Sequence, residues 1–236
     1  MPEPMVVQTE EHLINRWWQL MACVVAMMAI ANLQYAWTLF TLPLTQRLHA
    51  TLSAVQLAFT LFILAETWLV PVEGYLVDRL GAWRVVTAGG LLVGVSWVWA
   101  GLATSLPALW VAYSIGGIGA GAVYGACVGT ALKWFPDRRG LAAGLTAGSY
   151  GFGTALTVIP IQRMIAARGD QAAFITWGVL QGIVVTVAAW FMRPPPVGWQ
   201  PAGWEKTAAT IRQPVYQSAV SSTPWQMVQS DNFWLM

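Results

Sequence analysis

Charge is what this sequence has least of. Asp, Glu, Lys and Arg make up 9% of its 236 residues, where soluble domains carry roughly 25%. With 57% hydrophobic residues and a mean hydropathy of +0.56, this is the composition of a polytopic membrane protein. The net charge of +2 is too small, and too confined to loops, to argue for a nucleic-acid partner. Histidine occurs twice, as His12 and His49, both outside the apolar segments, so no buried imidazole base is available. Cysteine also occurs twice, as Cys23 and Cys127, both inside apolar segments. No Cys/His spacing matches a metal site, and the sequence calls for no metal and no cofactor. The apolar segments hold no Ser-His, Ser-Lys or paired-Asp arrangement, which argues against an intramembrane enzyme. The N-terminus does not read as a cleaved signal peptide either. Residues 1–16 contain Glu3, Glu10 and Glu11 against one basic residue. The apolar stretch that follows outruns a signal core of about 7–15 residues.

What is present is a series of long apolar runs, at about 17–42, 52–76, 85–104, 107–133, 141–162 and 172–192. Each approaches or exceeds the roughly 20 residues that cross a bilayer core, and together they predict an all-α fold of six transmembrane helices. Pro43 is predicted to end the first helix, and Pro107 to open the fourth, where a missing N–H costs little. Pro136 should separate the fourth and fifth, and Pro160 should fall in the last turn of the fifth. An even number of spans puts both ends on one side. One set of loops holds Arg16, Arg79, Arg84, Lys133, Arg138, Arg139, Arg193, Lys206 and Arg212, and the other holds Arg47, Arg163 and Arg168. That bias predicts a cytoplasmic N-terminus. Trp17, Trp18, Trp83, Trp134 and Trp190 then fall at the cytoplasmic interface as an aromatic belt.

Four parts follow: a cytoplasmic segment 1–16, a six-helix bundle 17–192, a linker 193–223 and a final stretch 224–236. Pro194-Pro-Pro196 followed by Gln, Ser, Thr and Ala reads as a flexible cytoplasmic linker. Asn232 is a candidate cap for a helix opening at Phe233-Trp-Leu-Met236. The expectation is the first half of a twelve-helix protein, ending in the first turn of a seventh span. The alternative is a fragment that does not transport alone.

Three stretches carry a family resemblance. Gly74-Tyr-Leu-Val-Asp78-Arg79-Leu-Gly81-Ala-Trp-Arg84, between the second and third runs, resembles the signature loop of the major facilitator superfamily, with Trp83 where a basic residue is more usual. Trp134-Phe-Pro-Asp-Arg-Arg-Gly-Leu-Ala-Ala-Gly-Leu145 and Thr223-Pro-Trp-Gln-Met through Asn232-Phe-Trp-Leu are similar to the oxalate/formate antiporter branch, whose neighbours include the monocarboxylate carriers. The resemblance implies two six-helix halves, each built of inverted three-helix repeats, with a substrate site at the midplane between them. It also implies a small carboxylate as substrate, the bacterial inner membrane as location, and a second six-helix half as partner.

Polar side chains deep in the runs are the candidate site. Asn32, Gln34 and Tyr35 lie in the first, Tyr124 in the fourth and Tyr150 in the fifth. Such groups at that depth need a partner or water. Interhelical hydrogen bonding is one reading. A binding surface is the other: aromatic rings flank a planar carboxylate while Tyr hydroxyls and the Gln34 amide donate to its oxygens. None of these groups is a cation, and the resemblance implies that the balancing Lys or Arg comes from the other half. Proton-coupled relatives often carry an Arg where Tyr113 stands, so the resemblance leans toward exchange or uniport. Glu66 is the acid in mid-span, a candidate proton or coupling group or else a hydrogen-bonded buried acid. Glu73 is expected to join a network with Arg79 or Arg139. Asp78, Arg79 and Arg84 are the candidate gate. Gly117, Gly121, Gly125 and Gly129 recur every fourth residue, as do Gly144 and Gly148, which predicts close helix packing along both stripes.

Overall fold

The computed structural model describes residues 15–196 and 199–201, with Gln226 and Gln229 alone beyond them. Residues 1–14, Lys206, Arg212, most of the linker and most of the proposed seventh-helix start lie outside the described residues. The described residues form eight helices: α1 Arg16–Ile30, α2 Asn32–Tyr35, α3 Trp37–Arg47, α4 Leu52–Trp68, α5 Val70–Leu80, α6 Ala82–Leu102, α7 Leu106–Trp134 and α8 Arg139–Phe191. No strand occurs among them, and the chain is an all-α polytopic membrane protein.

These helices make six spans. α1, α6, α7 and α8 are each long and apolar enough to cross a bilayer, with α1 running on through α2, and the bent pair α4–α5 makes one more. α8 has 53 residues, ~80 Å at 1.5 Å per residue, more than twice a bilayer core. It holds two spans, because Gly169 takes φ 83° and ψ 167° and turns the chain back. The contacts of its two ends show the reversal. Ala142 near its start shares a cluster with Leu20 of α1, and the Phe191 carbonyl at its end accepts from Gln19 Nε2 at 2.9 Å.

Local sequence explains the boundaries. The Asn15 side chain caps α1 by accepting from the Trp17 N–H, and Thr51 caps α4 by accepting from the Ala54 N–H. Pro107 lies in the first turn of α7, as expected. Pro43 does not end the first span. It sits inside α3, which continues to Arg47 and stops where His49 takes a positive φ of 48°. Pro160 likewise lies well inside α8, nine residues before the break at Gly169. A proline removes one backbone bond without ending a helix that its neighbours hold in place. The second span runs past residue 76 to Leu80 and bends by 51° at Leu69, beside Pro71 in the first turn of α5. The turn in the 74–84 motif is therefore one residue, Gly81, at φ 84° and ψ 150°.

Basic residues gather at the two ends of the bundle. At one end Arg16 binds Asp137 at 2.8 Å and lies over the Phe135 ring, and Lys133 meets Asp78 at 3.6 Å. At the other, Arg47 pairs with Asp170 at 3.2 Å and donates to the Gly101 and Ala100 carbonyls at 2.7 and 2.9 Å. Those carbonyls lie in the last turn of α6, where few intrahelical donors remain and a cation also meets the favourable end of the helix dipole. Arg47→Gln is expected to destabilise the bundle by about 1.5–3 kcal/mol, the usual worth of charge-assisted hydrogen bonds. Thermal unfolding in detergent measures it, and an unchanged midpoint would show the clasp to be incidental.

Two apolar clusters fill the interior. Near the Arg47 end, Phe40, Trp97, Tyr113 and Phe174 pack ring on ring, with Phe40 and Phe174 3.9 Å apart. At the Arg16 end, Leu20, Ala131, Trp134, Phe135 and Ala142 form the second cluster. Trp134 belongs to that cluster and not to a lipid-facing belt. It is 2% exposed, its indole N–H donates to the Arg193 carbonyl at 2.8 Å, and Trp199 packs on it edge to face. Trp17, Trp18, Trp83 and Trp190 are exposed and fit a belt.

The glycine stripes divide. A β-carbon at Gly117 would collide with the Phe62 carbonyl, and one at Gly121 would come within 2.8 Å of the Glu66 carbonyl. These two let α4 press on α7. Gly125, Gly129, Gly144 and Gly148 have nothing within 4 Å and line an open face. Other close crossings are Gly89 on Gly119, Gly94 on Gly178 and Gly182, and Gly153 on the Met28 backbone, the last tighter than Gly117 on Phe62.

Candidate functional site

The first span loosens where its polar residues lie. Short α2, from Asn32 to Tyr35, is set off from α1 at Ala31 and from α3 at Ala36, both fully buried. The Ala36 torsions of φ −90° and ψ −1° depart from regular helix, and the Leu39 N–H bonds three residues back, to the Ala36 carbonyl. Gln34 and Tyr35 thereby meet Tyr150 in the first arm of α8.

Tyr150 is the hub. It is 5% exposed, and its hydroxyl lies 2.9 Å from Gln34 Oε1 and 3.1 Å from Glu66 Oε1, so two acceptors share one hydroxyl proton. The Tyr35 and Tyr124 rings stand edge to face against its ring, with centroids 5.3 and 5.6 Å away. Tyr35 and Tyr124 are 50% and 37% exposed, so the cluster is backed by protein and open on one side. Gln34 spends its carbonyl oxygen on Tyr150, which leaves its amide N–H groups for another acceptor. Four spans supply the cluster: Gln34 and Tyr35 from the first, Glu66 from the second, Tyr124 from the fourth and Tyr150 from the fifth. The site offers hydrogen-bond donors, aromatic edges and one carboxylate. It contains no Lys or Arg, and no metal-binding group of three or more His, Cys, Asp or Glu exists among the described residues.

Asn32 stands apart from this cluster. It is buried, and its Oδ1 accepts from the Thr157 hydroxyl at 2.6 Å on the α1–α8 side. Position along the helix placed it at the right depth but not on the right face. Thr157, one turn past Gly153, escaped sequence reasoning because a lone threonine in an apolar run carries no signal. Tyr113 is buried among Trp37, Phe62 and Phe174, outside the open face. Asp78, Arg79 and Arg84 lie near the Arg16 end. Asp78 is exposed and pairs with Lys133 across α5 and α7, Arg79 lies over Tyr75, and Arg84 lies over Trp83. Glu73 does not join Arg79 or Arg139. It is 5% exposed against α7, with neither carboxylate oxygen hydrogen-bonded among the described residues. The bend at Leu69 turns it inward.

A family model described as Major Facilitator Superfamily matches residues 22–236, and the chain belongs to that superfamily. It is 35% identical over 236 residues to an oxalate:formate antiporter of Oxalobacter formigenes, covering 100% of this chain and 54% of that protein. It is 29% identical over 183 residues to the MFS-type transporter YhjX of Escherichia coli (strain K12), covering 77% and 45% of the two chains. Monocarboxylate transporter 14 of Mus musculus is 28% identical over 148 residues, covering 62% and 28%. The chain spans about half the length of the first of these relatives, and less of the others.

Proposed function

We propose that this chain is the N-terminal half of a secondary carrier that moves small organic anions, mono- or dicarboxylates such as oxalate and formate, by alternating access. One observation carries the reading: Gln34, Tyr35, Tyr124 and Tyr150 converge at mid-depth on one open face. Tyr124 lies ten residues from the Trp134 end of α7 and Tyr150 eleven from the Arg139 start of α8. At 1.5 Å per residue both lie ~15 Å in, the centre of a ~30 Å core. The names of the relatives support a carboxylate. A dianion in low dielectric also needs fixed positive charge, which this face lacks, so a second six-helix half supplies it. In this reading the Arg16 end faces the cytoplasm of a bacterium, the inner membrane is the location, and exchange of one anion for another is the mode.

Purified full-length carrier in liposomes tests it. Preloaded formate is expected to drive saturable oxalate uptake, and residues 1–236 alone should give none. Saturable exchange by 1–236 alone would replace the two-half carrier with a dimer of this chain.

Asp78, Arg79 and Arg84 act in this reading at the cytoplasmic gate. Asp78 and Lys133 are both exposed, so their pair is worth at most about 1 kcal/mol to folding. Asp78→Asn is therefore expected to leave folding intact while slowing exchange severalfold. Equal exchange rates at matched protein would remove Asp78 from the gate.

A further inference from the structure

Glu73 has no role in the site above, and its surroundings are unusual. Both oxygens are buried without a hydrogen bond among the described residues. Its carboxylate lies against the bare backbone of Gly121: a β-carbon there would stand 2.9 Å from each Glu73 oxygen and 2.8 Å from the Glu66 carbonyl. Gly121 is the sixteenth of the 29 residues of α7, so the notch sits at mid-depth. The bend at Leu69, with Pro71 just beyond it, brings Glu73 into the notch. Two flanking positions, Gly74 and Gly125, have nothing within 4 Å, so the notch borders open space toward the Lys133 end.

Among the described residues no positive group answers the carboxylate. α5 packs against α4, α6 and α7. α4 brings Glu66, which is bonded to Tyr150. α7 brings Tyr113, Tyr124, Cys127 and Lys133, and Lys133 is paired with Asp78. α6 brings Arg84, which lies over Trp83. On α5 itself, Asp78 is the partner of Lys133 and Arg79 lies over Tyr75. An ionised carboxylate buried without a partner is costly, and a bound cation removes the cost. The Gly121 backbone closes one side of the notch against the carboxylate, and the smallest cation, a proton, needs no further room.

We propose that Glu73 is a proton-binding site: its carboxyl holds one proton while α5 is packed on α7 and releases it when these helices part. The step forms and breaks one O–H bond, changes the side chain from neutral to singly negative, and needs no other reactant. The proton site rests on the geometry of Glu73 and Gly121, and the parting of helices rests on the carrier reading.

A hydrophobic carbodiimide reads the site, because it modifies membrane-buried carboxyl groups in their protonated form. The experiment uses the full-length carrier, with mass spectrometry of the peptide holding Glu73 and oxalate exchange measured on the same preparation. Modification of Glu73 is expected in mildly acid buffer. It should fall about tenfold for each pH unit once the carboxyl has lost its proton. Gly121→Ala, which closes the notch, should change that pH dependence, and Glu73→Gln should remove the modification while Glu66 is still followed as a separate peptide. An unmodified Glu73 from mildly acid to mildly alkaline buffer overturns the proposal. Protection by sodium at constant pH also overturns it, by making the bound species a metal cation. Modification without exchange upholds the proton site and removes the carrier reading, whereas exchange without modification does the reverse.

Discussion

Tyr150→Ala in the full-length carrier is expected to weaken carboxylate binding up to about a hundredfold, more than either Tyr35→Ala or Tyr124→Ala. Tyr150 holds the cluster together. Its hydroxyl orients Gln34 and Glu66, and the other two rings lean on its ring. Removing it takes away a buried hydrogen bond and an aromatic wall, worth roughly 1–3 kcal/mol, or about ten- to hundredfold in affinity. Tyr150→Phe separates the two contributions, since it keeps the wall and frees Gln34. Equilibrium binding on folded protein is the measurement, with Trp190→Ala at the exposed belt as the control. If Tyr150→Ala binds as tightly as that control, the cluster is structural packing and not a binding surface.

Much of this is legible in the sequence. The lengths of the apolar runs require spans, and the 74–84 motif marks the superfamily. Counting residues from the helix ends puts Tyr124 and Tyr150 at one depth and Tyr35 within about a turn of it. What counting leaves out is rotation about each helix axis. Asn32 is two residues from Gln34 and faces Thr157 instead. Glu73 could not be placed without the bend at Leu69, because a straight helix would have carried it toward the arginines at the loop. Trp134 reads as an interfacial residue until Arg193 and Trp199 fold back over it. Two of the four proline expectations fail for a related reason. Pro43 and Pro160 have the local chemistry of helix ends, but neighbouring helices hold both segments helical past them.

Gly153→Val is expected to have the largest effect on folding. At Gly153 the first arm of α8 crosses α1 so closely that an added β-carbon would overlap the Met28 backbone. Backbone cannot move aside as a flexible side chain can, and overpacking of this kind costs about 1–3 kcal/mol or more. The same crossing sets the distance between Tyr150, one turn away, and Gln34. Loss of a monodisperse peak in detergent is expected for Gly153→Val, while Gly148→Ala, which meets nothing within 4 Å, should leave the chain's own fold intact. A well-folded Gly153→Val would show that α1 and α8 are less tightly crossed than described.

The central claim is that the mid-depth cluster on the open face receives the substrate carboxylate. A structure of the full-length carrier with oxalate bound tests it most directly. The expected result places a carboxylate oxygen within hydrogen-bonding distance of the Gln34 amide or a Tyr hydroxyl, between the Tyr35 and Tyr124 rings and a cation of the second half. Oxalate bound elsewhere, with Gln34 and Tyr150 still bonded to each other and remote from it, would contradict the claim.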